Sequence, residues 1–373
     1  MSAVASARTS TGRLEWVDLA RGVTIFLVVM YHVAVGAGHS LLPAEFSEAG
    51  ARWAAVNRLL QPLRMPLFFL LSGMLAHSAA HREWTKVWRP RIADLWWPYL
   101  LWSGVFAVTA WPRYAPEDAV GYVKLQGVAT ATGAGPYWFI LMLPLYFLLV
   151  RAGRNHPRVL LGIVAVLYIG AGPLRQLILN LAWLPELLSG GAYRFAYFAI
   201  WYVAGWALRK HIFRYTDRAP SIMILVGAAG FVGMTVLIQG WEGSALMSRL
   251  MVLAAGILGI SSVFPLLRRL ALWGPLSRLG ALVGSKTLPI YIIHPLFINV
   301  VVLFLPPSWM GRALQGTVLA DVMLVPVITV LGTAAGVLFA MLIDRVGPHW
   351  ALASPRPGRR RDAARAGPER GYR

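Results

Sequence analysis

The chain has 373 residues, 58% hydrophobic and 13% charged, and its mean hydropathy of +0.61 lies far outside the range of a water-soluble domain. A formal charge of +20 would suit a nucleic-acid binder, but the bases are spread between apolar runs and gathered in a tail. Membrane topology accounts for them and nucleic acid is not an expected partner, while the absence of cysteine excludes disulfides, thiolate catalysis and thiolate-bound metals.

A helix crosses a bilayer with about 17 to 25 mostly apolar residues. Such runs fall at 19–37, 57–77, 93–111, 137–151, 158–174, 193–209, 220–240, 248–267, 287–305 and 318–343. They predict an all-α polytopic membrane protein with about ten transmembrane helices. Arg8 and Arg13 precede the first run; Arg82, Lys86, Arg89 and Arg91 fill the second connection and Arg151, Arg154 and Arg158 the fourth. Arg209, Lys210, Arg214 and Arg218 lie in the sixth, and Arg268, Arg269, Arg278 and Lys286 in the eighth. In the alternate connections Glu45, Glu48, Glu117 and Asp118 offset Arg52, Arg58, Arg113 and Lys124, and the ninth holds only Arg312. Cytoplasmic loops keep the basic excess, so both termini are expected in the cytoplasm.

Residues 1–13 read as a cytoplasmic segment and 14–345 as the membrane domain. The start imitates a signal peptide, but cleavage would discard Asp18, Arg21 and His32, so it is expected to be retained. Residues 350–373, rich in Pro, Gly and Arg, are expected to be disordered, either drawn to anionic lipid headgroups or serving topology alone.

Ionisable groups inside spans are the informative residues, because they are costly unless they face a protein interior or a watered cavity. In the first span, Arg21 and His32 fall on nearly one helical face, about 16 Å apart along the axis, with Asp18 within about 60° of the same line. The set reads as a functional track, or as an Asp18–Arg21 surface pair beside a neutral core histidine. In the second span Arg64 lies near the outer end, where it is expected to snorkel, and Pro66 is expected to interrupt the helix. Ser72-Gly73 offers a small surface for close approach by a helix or a slender ligand.

The third span is approached through R-P-R-I-A-D-L-W-W-P-Y, whose Arg89 and Arg91 suit either a polyanion or positive-inside topology. P-Y-W-F-I-L at Pro136 reads as an interfacial aromatic belt. In the ninth span, Tyr291 and His294 share a face, and Pro295 disturbs the backbone bonding beside the histidine. Protease, P-loop and hydrolase-elbow motifs are absent. The acids Asp94, Asp321 and Asp344 lie toward span ends, which argues against a proton pump. No metal site is expected.

These motifs resemble the acyltransferase 3 family. W-V-D-L-A-R-G-V-T-I-F-L-V-V-M-Y-H is similar to its first helix, in which Arg is followed by ten residues and then His; here that pair is Arg21 and His32. M-P-L-F-F-L-L-S-G is similar to its second-helix element, R-P-R-I-A-D-L-W-W-P-Y to its Arg-rich approach to the third helix, and P-Y-W-F-I-L and Y-I-I-H-P-L-F to later segments. The chain departs from the family at Pro289-Ile290, where many members have Ser-Tyr-Xaa-Tyr. The resemblance covers roughly residues 14 to 345. No appended hydrolase-like domain is expected, so any acyl handover would finish within the membrane unit or through a partner.

The resemblance implies a multi-pass protein of a bacterial-type inner membrane. Its implied activity is O-acyl transfer, usually of acetyl from cytosolic acetyl-CoA to a hydroxyl of an envelope or exported carbohydrate or glycolipid. On that reading Arg21, with Arg89 or Arg91, would hold the coenzyme A phosphates, and the pantetheine arm would run along the first helix toward His32. His32 would be the general base, a role suited to an imidazole of unperturbed pKa about 6.5. Asp18 would place Arg21, and Ser72 or its backbone would help to stabilise the oxyanion. The competing class is a transporter or flippase for a glycan or lipid; succinyl transfer and acylation of a small metabolite are variants within the family.

Overall fold

The computed structural model describes residues 15–38, 49–114, 117–181, 183–304 and 317–355. Arg8, Arg13, Glu45, Glu48, Arg312 and the arginines after residue 355 lie outside the described residues. No strand occurs among those described, and the chain is a succession of helices. They are α1 Glu15–Val33, α2 Ala49–Ala76, α3 Asp94–Tyr114, α4 Ala119–Thr132, α5 Trp138–Ala152, α6 Pro157–Asn180 and α7 Glu186–Ala207. There follow α8 Arg209–Arg218, α9 Ser221–Gln239, α10 Ala245–Leu270, α11 Gly274–Ser285, α12 Thr287–Phe304 and α13 Val318–Val346. Short turns join some of them, and Trp84–Trp88 is a single helical turn leading into a π-helical segment, Arg89–Ala93.

A helix covers each of the ten expected runs, and seven helices among the described residues have the length and hydropathy to cross a membrane: α1, α2, α6, α9, α10, α12 and α13. The apolar α5 has only 15 residues, and α3 and α7 do not meet both conditions. The structure therefore defines an all-α polytopic membrane protein. α4, α8 and α11 are short helices in connections read as loops from the sequence.

Local chemistry sets several boundaries. Glu15 and Asp18 occupy the first turn of α1, where negative charge suits the positive end of the helix dipole. The Asp118 side chain accepts from the Gly121 amide to start α4, and Gly133 stops that helix at φ +70°, a conformation that glycine adopts without side-chain strain. One expectation fails here. Pro66 does not interrupt the second span: α2 runs unbroken for 28 residues with both Pro62 and Pro66 inside it. Proline removes one ladder bond without ending a helix whose neighbours hold its course.

The contacts divide the chain into two compact units, Met1–Met74 with Ala204–Val337, and Leu75–Val203 with Leu338–Arg373. In the first, α1 lies against α11 at very short range. A Cβ on Gly284 would fall 2.0 Å from the Asp18 carbonyl oxygen, and one on Gly280 2.8 Å from Leu19 Cα. Small residues four apart allow that approach, as they do between membrane helices generally. α9 and α10 pack in the same way, Gly227 meeting the Leu258 carbonyl. In α12, Ile290 meets Gly336 of α13.

In the second unit, the segment after α13 is held down. The indole N–H groups of Trp97 and Trp102 donate to the carbonyls of Trp350 and Ala351 at 2.7 Å each. The Asp94 carboxylate accepts from both the amide and the hydroxyl of Ser354. Residues 350–355, expected as the start of a disordered tail, are thus tied to α3, because α3 offers indole donors and an acid that match their backbone groups. Residues 356–373 lie outside the described residues.

Candidate active site

The first unit contains Asp18, Arg21, His32, Arg64, Ser72, Tyr291 and His294. On α1, the Arg21 guanidinium lies 3.6 Å from the Asp18 carboxylate, the i,i+3 contact expected from the spacing. It also donates to Thr287 Oγ1 at 2.9 Å. Thr287 opens α12 directly after the end of α11, so the helix that packs on Asp18 also delivers the hydroxyl that fixes Arg21. Asp18 is 7% exposed, while the Arg21 side chain keeps 28% of its surface. The acid is enclosed and the cation remains accessible to an anion.

Three turns further along α1, the His32 ring lies 5.0 Å, centroid to centroid, from the ring of His294 on α12. The histidines are 262 positions apart in sequence, and each belongs to a separate apolar run. Tyr291 stands edge-on to His294 at 5.4 Å, and Tyr31 edge-on to His32 at 5.0 Å. His294 is fully buried and His32 half-buried.

The tautomer of neutral His294 follows from its partner. Its Nδ1 lies 3.2 Å from the Ile290 carbonyl oxygen, which can only accept, so Nδ1 carries the hydrogen and Nε2 carries the lone pair. Nε2 has no hydrogen-bond partner among the described residues. An unmet buried polar atom costs about 1–3 kcal/mol, and native folds keep few of them. His294 therefore presents a basic nitrogen beside His32. α1 leaves its α-helical course just past His32, at the π-helical turn Ala34–Gly38, a distortion that recurs at functional sites.

One expected role changes. Arg64 does not snorkel: it is 6% exposed, its guanidinium carbon 4.0 Å from the Tyr31 ring centroid, and it donates to Asn57 Oδ1 at 3.4 Å. The tyrosine face and the asparagine carbonyl give the guanidinium an interior site, which removes the need to reach the interface. Ser72 donates its hydroxyl hydrogen to the Phe68 carbonyl at 2.8 Å, four residues back on α2. That hydrogen is engaged with the helix backbone.

Arg89 and Arg91 belong to the second unit. Arg89 donates to the carbonyls of Ser354 at 3.1 Å and Pro355 at 2.5 Å and lies 3.9 Å from the Asp94 carboxylate. Arg91 donates to the Leu75 carbonyl at 3.1 Å, with its guanidinium carbon 5.9 Å from the Phe147 ring centroid. These contacts give both arginines structural work in their own unit.

Sequence reasoning missed Thr287, Asn57 and Tyr31. Threonine and asparagine are too common in helices to single out by type, and Tyr31 is masked by its histidine neighbour. A buried asparagine seven residues before an intramembrane arginine was the one available signal. No group of acids and histidines suited to a metal occurs among the described residues.

A polytopic helical protein with two histidines in contact between spans is the class that the fold and site define. The Acyltransferase domain model of the acyltransferase 3 family matches residues 14–345, most of the chain, and the protein belongs to that family. It is a membrane acyltransferase. Neither the curated proteins nor the solved structures provide a match.

Proposed function

We propose that the protein transfers an acyl group, acetyl in the first instance, from acyl-CoA to a hydroxyl of an envelope or exported carbohydrate at an inner membrane. The observation that carries this reading is the contact between His32 and His294, on the same helix as an accessible Arg21. A guanidinium held by a carboxylate and a threonine hydroxyl is preorganised for a phosphate, and Arg21 takes the coenzyme A end of the donor. The pantetheine arm follows α1 for about 16 Å, bringing the thioester to His32.

His32 removes the proton from the acceptor hydroxyl as its oxygen attacks the thioester carbonyl. The new C–O bond forms, the C–S bond breaks, and coenzyme A leaves as the thiolate, which takes a proton from the imidazolium. His294 is a positioning residue: its Nδ1 is bound to Ile290, which fixes the ring that faces His32. Tyr291 packs edge-on to that ring.

Membranes containing the full chain, supplied with radiolabelled acetyl-CoA and glycan acceptor, test the reading. Label in the glycan, abolished by His32→Ala, is the expected result. Acceptor movement without label would replace it with transport, and a His32→Ala protein with full transfer would end the general-base role.

A further inference from the structure

Arg64 is a buried cation with no carboxylate beside it among the described residues. A guanidinium has five N–H groups, and the single acceptor found for them is Asn57 Oδ1, at the long distance of 3.4 Å. The Tyr31 ring face, 4.0 Å from the guanidinium carbon, attracts positive charge but replaces neither a counter-anion nor directed acceptors. Asn57 is itself 7% exposed, and since its carbonyl oxygen takes the Arg64 hydrogen, its Nδ2 is the atom left without a partner. The unmet capacity around Arg64 is therefore of one kind: hydrogen-bond donors and positive charge. Such a place is complementary to a group with several acceptor oxygens and a negative charge.

Its position narrows the occupant. The Tyr31 ring lies 4.0 Å from the Arg64 guanidinium carbon and 5.0 Å from the His32 ring, so one side chain separates the cation from the proposed base. A planar fork buried in the unit matches a carboxylate or a phosphate ester bidentately, and at 6% exposure it is poorly placed to meet a lipid headgroup at the membrane surface.

We propose that Arg64, Asn57 and Tyr31 form a subsite for a fixed anionic group, carboxylate or phosphate ester, carried by the carbohydrate acceptor next to the hydroxyl that is acylated. The subsite makes no covalent bond. It orients an acidic sugar and selects against a neutral one, because a neutral sugar leaves the guanidinium uncompensated. Naming the occupant as an acceptor rests on the acyl-transfer reading; the anion preference does not.

The test uses the purified full chain in lipid nanodiscs with methyl β-glucuronide, glucose 6-phosphate and methyl β-glucoside as probes. Binding is read as a saturable rise in the thermal midpoint, and transfer as label moved from acetyl-CoA. At least one anionic probe is expected to bind at least about tenfold more tightly than the neutral glucoside, and which one it is separates carboxylate from phosphate. Arg64→Gln is expected to erase the preference, and Arg64→Lys to keep part of it, since charge remains but the fork is lost. Equal binding of all three probes, no binding of either anion, or a preference that survives Arg64→Gln overturns the proposal. The wild-type comparison stands even if Arg64→Gln does not fold. Anion-selective binding without label transfer would sink the acyl-transfer reading and leave the subsite; transfer to the neutral sugar with no anion preference would do the reverse.

Discussion

At the residue scale, the proposed reading gives the first helix two roles, separated along its axis. Asp18 and Arg21 form a contact near its start, and Thr287 reaches Arg21 from another helix. If Arg21 holds the donor phosphate as proposed, replacing it by Gln is expected to raise the KM for acyl-CoA about tenfold or more with a smaller change in kcat, because such a grip would be the same in ground and transition states. Asp18→Asn removes the positioning charge but keeps the shape, and is expected to raise the same KM by about a few-fold only. Initial-rate kinetics on membranes separate the two; equal effects on kcat would place Arg21 in the chemistry instead. The Arg21–His32 alignment was readable from helical period alone, because both residues lie on one helix. The contact of His32 with His294 was not, since 3.6-residue periodicity says nothing about which helices meet. Arg64 was misread for the same reason: a sequence shows its distance from a span end, and only packing shows that the Tyr31 ring lies against it.

At the element scale, α11 is one of three short helices that the apolar runs did not predict. Its twelve residues are too few to span a bilayer, yet Gly280 and Gly284 bring it onto α1 and its end supplies the turn to Thr287. Glycine costs a helix about 1 kcal/mol relative to alanine, so Gly→Ala stabilises where there is room. At Gly22 the nearest neighbours of an added Cβ are 3.5 Å away, and Gly22→Ala is expected to leave the thermal midpoint unchanged or raise it. At Gly284 the added Cβ meets the Asp18 carbonyl at 2.0 Å, and Gly284→Ala is expected to cost about 1–3 kcal/mol, lowering the midpoint and weakening acyl-CoA binding. Thermal unfolding of both variants in detergent checks the contrast; similar midpoints would mean that the two helices are not held at this distance.

At the scale of the whole molecule, alternation of basic and less basic connections predicts about ten crossings, whereas seven helices among the described residues meet the length and hydropathy conditions outright. The two counts place particular residues on different sides. With ten, Lys86 and Lys210 face the cytoplasm and Trp183 and Glu242 face outward; with seven, Lys210 joins Trp183 outside and Glu242 moves inside. The chain has no cysteine, so single cysteines can be introduced at these four positions and read without background. A membrane-impermeant maleimide on intact cells is expected to label Trp183→Cys and Glu242→Cys, and the other two only after permeabilisation. Labelling of Lys210→Cys from outside would reject the ten-span topology.

By itself the sequence determined the class of the protein: the length of its apolar runs and the internal bonding that lipid demands leave helices as the form they take. It also determined the separation of Arg21 and His32 along their axis, because rise per residue is fixed within one helix. The tertiary structure decided what these residues meet. His294 comes to His32, Thr287 to Arg21, and Tyr31 to Arg64, through approaches set by glycines and side-chain shape between separate helices. Those contacts depend on which faces pack, and packing is a property of pairs of helices that no single helix encodes.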